Sequence, residues 1–247
     1  MISRVEQHGD STFVAVSDTG TSHRTNNIPN QDAVDYFVIG DDFMLAVSDG
    51  VGSCKKAELG ANAAVSAVKE VFLSLRDTML PGAMSEIADN IIAEWYKVLD
   101  EENPRDCCAT LKAAMKIGHS LLLFSIGDGL LAVSSVGMQA CAPIENTLFI
   151  NQTMSLSEKV KAEDIWTSVF KLDTHVPYVV FVCSDGVANG IQEGREMELV
   201  AEIENGIEAK ALQSELENLL MDLLEYSSDD RTVGVVKYEW KNAKLNR

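Results

Sequence analysis

The sequence predicts an α+β fold in which two antiparallel sheets are covered by helix pairs, and three observations lead there. Apolar runs of strand length come in clusters, without the regular βαβ alternation of a doubly wound sheet. Each cluster is followed by two segments of helical periodicity. Apolar runs also stop repeatedly at Asp-Gly, in Leu45-Ala46-Val47-Ser48-Asp49-Gly50, Ser125-Ile126-Gly127-Asp128-Gly129 and Val179-Val180-Phe181-Val182-Cys183-Ser184-Asp185-Gly186.

The elements follow in order. Residues 12–18, 34–39 and 43–48 read as strands, with Gly40-Asp41-Asp42 as a hairpin turn. Ala61, Ala64, Val65, Val68, Val71, Phe72 and Leu75 then fall at helical spacing, ended by Pro81-Gly82. Ile87, Ile91, Trp95, Val98 and Leu99 mark a second helix that stops around Asn103-Pro104. Residues 110–117, 121–126 and 130–136 read as a three-stranded meander turning at Gly118-His119 and Gly127-Asp128-Gly129. A strand is expected at 147–151, and a loop with a short helix over 154–171. Residues 176–183 form the clearest buried strand. Helices are expected over 193–204 and 207–226, the latter with a leucine-rich face, and a closing strand over 232–240. Residues 241–247 read as a basic, frayed end.

At 247 residues the chain fits one domain with a sizeable core. It has no apolar stretch long enough to span a membrane and no apolar leader in MISRVEQHGDSTF, so a cytoplasmic protein is expected. Five cysteines, odd in number and without a CxxC pair, disfavour a disulfide framework and zinc. Cys107-Cys108 reads as a pair of small buried thiols ahead of a redox pair. A net charge of −18 opposes binding to a phosphate backbone, so nucleic acid is not an expected partner.

A strand that stops at Asp-Gly delivers a carboxylate to the end of its sheet, and the glycine allows close backbone approach. With Asp32 in NQDA and Asp229-Asp230 in DDRTVGVV, the set reads as a scattered carboxylate site. Converging carboxylates repel one another and are costly to bury, so a hard divalent cation is their natural partner. Any single Asp-Gly is an ordinary turn dipeptide. The recurrence on buried strands favours the metal.

The order QDA, AVSDGVGS, ATL with SIGDG, FVCSDGV and DDRTV resembles the metal-dependent protein phosphatases of the type-2C family over nearly the whole chain. The opening Ser22-His23 to Pro29-Asn30-Gln31-Asp32-Ala33 is similar to a bacterial branch with SH…P-x-QDA. This resemblance implies a four-layer α-β-β-α sandwich, residues 1–247 being a single phosphatase domain. It implies two Mn²⁺ or Mg²⁺ ions in a cleft, with Asp49 bridging both, the Gly50 carbonyl on one, and Asp185 and Asp230 completing one side. Asp32 would serve the other ion through ordered water, and Asp128 a third, weaker site. The implied reaction is hydrolysis of phosphoserine or phosphothreonine by direct attack of a metal-bridging water, without a phosphoenzyme. The implied partners are phosphoprotein substrates of a Ser/Thr kinase in a bacterial cytosol, the enzyme being a monomer.

The chain departs from the family pattern in places. Gln31 stands where many relatives carry an acidic residue, and Arg24 lies eight residues before Asp32, where a phosphate-binding Arg stands five before. Arg24 is therefore either that clamp or a solvated loop arginine. His23 is either the general acid for the leaving alkoxide or a surface histidine. Arg231 follows the last Asp where many relatives have Asn, and reads as an ion-pair partner or a solvent-facing side chain. Lys55 and Lys56 read as a solvated helix start ahead of a substrate-steering pair. Residues 142–171 lie where the family has a variable flap, the place for substrate choice. Two other readings stay open: a catalytically silent phosphoprotein-binding module, and a phosphomonoesterase acting on small metabolites.

Overall fold

The structure, a computed structural model, describes residues 1–78, 83–143 and 154–240. In chain order it contains β1 (Ile2–His8), β2 (Ser11–Asp18), α1 (Thr21–Asn26), β3 (Asp32–Ile39), β4 (Asp42–Asp49), α2 (Ala57–Thr78) and α3 (Met84–Leu99). Then come β5 (Leu111–Ile117), β6 (Ser120–Ile126), β7 (Leu130–Ser135), β8 (Met138–Cys141) and β9 (Trp166–Lys171). The chain closes with β10 (Tyr178–Cys183), α4 (Asp185–Ala188), α5 (Glu196–Asn205), α6 (Leu212–Asp222) and β11 (Arg231–Tyr238).

One antiparallel sheet has the order β1-β2-β11-β10-β7-β8 and the other β3-β4-β5-β6-β9. Period-2 alternation divides the strand residues between two environments. Phe13, Phe43, Leu45, Val47, Leu123, Val180 and Val182 point inward and fill the layer between the sheets. Met44, Ala46, Ala113, Met115 and Phe124 point outward against α2 and α3, whose small residues Ala61, Ala64 and Ala67 allow close approach. Trp95 ties these helices together, its indole N–H donating to the Gly60 carbonyl at 3.1 Å. Val14, Val16, Phe181 and Val235 face α5 and α6 through Val200, Ile203, Leu216 and Leu220. The four-layer α-β-β-α sandwich is the architecture that the sequence implies.

The expected meander is corrected. β5 and β6 pair, but β7 pairs with β8 and β10 in the other sheet, so Gly127-Asp128-Gly129 crosses between sheets. Strands β1, β8 and β9 and helix α1 escape the sequence reading. β1 and β9 are sheet edges with largely exposed or half-exposed residues, so no buried alternation marks them. The single helix expected over 207–226 is broken: 3₁₀ turns at Ala209–Ala211 and Leu223–Glu225 flank α6. The strand expected at 147–151, the helix stop at Pro81-Gly82, the tail 241–247 and part of the 142–171 segment lie outside the described residues.

Candidate metal centre

Strand ends converge at one edge of the sandwich. β4 ends at Asp49, β3 begins at Asp32, the sheet-crossing turn carries Asp128, and β10 runs through Ser184 into Asp185. Asp32 and Asp49 are direct cross-strand partners, so their side chains share a face. Carboxylate oxygens of Asp49, Asp128 and Asp185 all lie within 4.8 Å of one another. The cleft above them has a volume of 320 Å³ and is lined also by His23, Gln31, Gly50, Thr110 and Asp229. No lysine or arginine is among the described residues that line it.

Backbone and hydroxyl bonds hold the strand ends that carry these residues. The Asp49 N–H donates to Thr110 Oγ1 at 3.0 Å, the Thr110 N–H returns a bond to the Asp49 carbonyl at 2.8 Å, and Ser48 Oγ donates to the Thr110 carbonyl at 2.5 Å. Ser184 Oγ donates to Asp32 Oδ2 at 2.7 Å and accepts the Thr232 N–H at 3.0 Å. The serine of each Ser-Asp-Gly thus locks the strand end that its aspartate leaves. The sequence reading gave Ser48, Ser184 and Thr110 no role, although the repeated Ser-Asp-Gly was the available signal. Gly186 is required for a different reason than approach to an ion. A Cβ there would stand 2.0 Å from the Asp230 carbonyl oxygen, so backbone meets backbone.

Three like charges this close repel by roughly 3 to 4 kcal/mol per pair at an effective dielectric near 20. Burial, then the charges of Asp32, Asp185 and Asp229, push the Asp49 carboxyl far above the usual carboxylate range. Burial pushes Asp32 up to about 7, with Asp230 and Asp185 adding to it, and pushes Asp185 up to about 6, reinforced by Asp128 and Asp229. Asp32 Oδ1 and Asp185 Oδ1 are buried and have no hydrogen-bond partner among the described residues. An all-oxygen donor set with orphaned lone pairs and surplus negative charge fits a hard divalent cation such as Mg²⁺ or Mn²⁺.

The other sequence-predicted residues divide. Asp230 is not in the lining of the cleft: 2% exposed, it accepts the Gly20 N–H at 2.7 Å, the Gln31 N–H at 2.6 Å and His23 Nδ1 at 2.8 Å. Its neighbour Asp229 lines the cleft. His23 lines the cleft too, oriented by Asp230. Arg24 does not line it; its guanidinium pairs with Asp18. The buried Arg231 pairs with the same Asp18 at 2.7 Å, on the ion-pair side of the sequence expectation. Lys56 pairs with Glu102, and Lys55 stands 3.8 Å from Asp106, so both are engaged outside the cleft. None of the five cysteines is in a disulfide.

The chain superposes on RsbX in complex with magnesium, with a TM-score of 0.66 and 14% identity over 96% of this chain and 100% of that one. It superposes on the catalytic domain of the serine/threonine phosphatase PstP in complex with two manganese ions, with a TM-score of 0.63 and 19% identity over 93% and 99%. A serine/threonine phosphatase of S. agalactiae gives a TM-score of 0.64 at 14% identity over 93% and 100%. These likenesses are of fold. No curated protein matches the sequence. The sequence profile described as Protein phosphatase 2C matches residues 19–221, well over half of the chain, and the chain belongs to the protein phosphatase 2C family.

Proposed function

We propose that this protein is a divalent-metal-dependent phosphatase that hydrolyses phosphoserine and phosphothreonine in protein substrates. The observation that carries the reading is the cluster of Asp49, Asp128 and Asp185 in a cleft whose described lining holds no lysine or arginine. Apart from His23, the ionisable side chains that a phosphate dianion meets in the described lining are carboxylates, so cations must precede it. Asp49, Asp185 and Asp229 would hold one ion; Asp49 with Asp32, through water, and the Gly50 carbonyl would serve a second. Asp128 would contribute to a third. Asp229 takes the place that the resemblance gave to Asp230, because both Asp230 oxygens are occupied by backbone N–H groups and His23. Bound ions of this kind lower the pKa of water and neutralise charge on phosphoryl oxygens.

The chain's own groups do the rest. Thr110 and Ser48 fix the backbone around Asp49, and Ser184 holds the Asp32 carboxylate, before substrate arrives, so little reorganisation is needed during reaction. His23, held by Asp230 through Nδ1, has Nε2 left to give a proton to the leaving alkoxide as the P–O ester bond breaks. A water oxygen forms the new P–O bond, and the products are inorganic phosphate and the free hydroxyl. The substrates would be products of a Ser/Thr kinase, met in the cytoplasm by a monomeric enzyme. Among the described residues no helix is long and apolar enough to cross a membrane.

The test is turnover of p-nitrophenyl phosphate and of a phosphothreonine peptide with Mn²⁺, Mg²⁺ or chelator, beside Asp49→Asn and Asp185→Asn. Metal-dependent peptide turnover that both substitutions abolish is the expected result. Turnover no higher than in the substituted proteins, with either metal, would sink the enzyme reading. Hydrolysis of p-nitrophenyl phosphate without the peptide would move the substrate class to small phosphoesters.

A further inference from the structure

A lysine is buried directly behind the acidic centre. Lys112 is 1% exposed and lies on β5, where Leu111, Ala113 and Met115 pack toward the helices and Ala114 packs between the sheets. By strand alternation Lys112 shares the inner face with Ala114. It stands opposite Val47 on β4 and Ser125 on β6. An ammonium so placed loses its hydration and persists only where oxygens replace that water. Lys112 Nζ donates to Ser125 Oγ at 2.7 Å and to the Gly127 carbonyl at 2.5 Å.

The Gly127 carbonyl is where the chain leaves β6 for the other sheet, and Asp128 is the next residue. Beyond Asp128, Gly129 has φ +93°, and a Cβ there would stand 3.4 Å from Lys112 Cε and 2.5 Å from the Cys183 carbonyl oxygen. The lysine therefore holds the residue before Asp128 and packs beside the residue after it. A two-sheet crossover with a left-handed glycine has other conformations open to it. A charged hydrogen bond to its first carbonyl selects one of them.

We propose that Lys112 is the positioning residue for Asp128, fixing the crossover so that this carboxylate faces Asp49 and Asp185 and setting how tightly the Asp128 side of the centre holds a divalent cation. The proposal rests on the reading of the acidic cluster as a cation site. Outer partners of metal ligands commonly change metal affinity by about 10- to 100-fold when removed. That scale separates Lys112 from a residue that only fills space.

The experiment is calorimetric titration of Mn²⁺ into the wild-type protein, Lys112→Met, Asp128→Asn and the double variant, with KM for Mn²⁺ measured alongside. Lys112→Met is expected to weaken one Mn²⁺ step about 10-fold and to raise the KM for Mn²⁺ more than it lowers kcat. Asp128→Asn removes the same step, and the double variant matches Asp128→Asn alone. Equal weakening of every step, or effects of the two substitutions that simply add, would overturn the proposal and leave Lys112 a structural residue. Should Lys112→Met fail to fold, Ser125→Ala takes its place. It keeps the lysine and removes one of its acceptors, with a shift of about 3-fold in the same step expected and no shift counting against the proposal. A wild-type protein that binds no Mn²⁺ defeats the metal-centre reading itself; a normal wild-type isotherm with an unchanged Lys112→Met isotherm defeats only the role of the lysine.

Discussion

At one end of the sandwich the strands deliver Asp32, Asp49, Asp128 and Asp185 beneath a 320 Å³ cleft. At the other end the hairpin turns surround a cavity of 720 Å³, lined by Asp10, Asp41 and Asp42 but also by His8, Arg76, Lys116 and His119. The same two sheets build both ends, and the larger space is not where the carboxylates cluster. At the far end Arg76 Nε donates to Asp42 at 3.2 Å, the Gly118 N–H donates to Asp42 Oδ1 at 2.8 Å, and Lys116 Nζ donates to the Asp41 carbonyl at 2.8 Å. Charge there is answered within the chain. At the near end the described lining offers no lysine or arginine, and two buried carboxylate oxygens have no hydrogen-bond partner among the described residues. A convergence of carboxylates beneath a cleft whose described lining has no lysine or arginine, and not volume, marks the candidate site.

Removing charge from the near end is expected to have the largest effect. Asp49→Asn is expected to lower kcat/KM on a phosphothreonine peptide by about 1,000-fold or more, the scale of losing a preorganised electrostatic group. Steady-state assays across a Mn²⁺ series check this. Activity retained within about 10-fold would mean that the cluster is not the centre of the chemistry. His23→Gln should cost less and depend on substrate: about 100-fold on the peptide, whose alkoxide leaving group needs a proton, and little on p-nitrophenyl phosphate, whose phenolate does not. Equal losses on both substrates would remove His23 from the role of acid.

Asp229 and Asp230 are adjacent in sequence and opposite in surroundings, and they show what the sequence could and could not tell. Asp49, Asp185 and Asp128 were legible because each follows an apolar run of strand length, and Asp32 only through the NQDA motif, since it opens its strand after a polar stretch. The pair Asp229-Asp230 precedes β11, and nothing in DDRTVGVV says which carboxylate turns outward. That choice is made by the Gly20 and Gln31 N–H groups, which belong to distant segments. Arg24 illustrates the same limit, since its partner Asp18 is buried at the end of β2 and also takes Arg231. The helix pairs and central strands were legible from periodicity, while the edge strands β1 and β9 were not, because exposed faces carry no pattern. Asp230→Asn should therefore destabilise the fold by about 2 kcal/mol, weakening charged hydrogen bonds to buried groups, as measured by urea unfolding. Asp229→Asn should leave the unfolding midpoint almost unchanged and raise the Mn²⁺ requirement about 10-fold. Reversed outcomes would return Asp230 to the metal.

The charge at the near end also predicts how stability depends on pH. Asp185, Asp32 and Asp49 all have native pKa values raised, first by burial and then by one another. A carboxyl raised on folding keeps its proton in the native state while the unfolded chain loses it. Its contribution is thus full below about pH 4 and is lost as pH rises through the native pKa. For Asp185 and Asp32 that window runs from about pH 4 to about 7. In chelator, the melting temperature should fall across this window by an amount on the order of 5 °C. Mn²⁺ should abolish most of the fall, because a cation favours the ionised carboxylates in place of protons. Thermal scans at matched ionic strength check this, and a melting temperature equally insensitive to pH with and without Mn²⁺ would contradict the electrostatic picture of the near end.

The smallest effect belongs to the far end. Lys116 is buried with its ammonium on a backbone carbonyl, and desolvation lowers its pKa despite the nearby Asp42 and Asp41. Lys116→Met removes one hydrogen bond and one costly buried charge while keeping the length of the side chain, so the two changes nearly offset. Stability should stay within about 1 kcal/mol of wild type, and activity and the Mn²⁺ requirement should not move. The contrast with Asp49→Asn is the useful quantity, since both residues lie on neighbouring strands of one sheet, at opposite ends. A large loss of activity from Lys116→Met would show that the two ends communicate through β4 and β5, and charge imbalance alone would then no longer account for where the function resides.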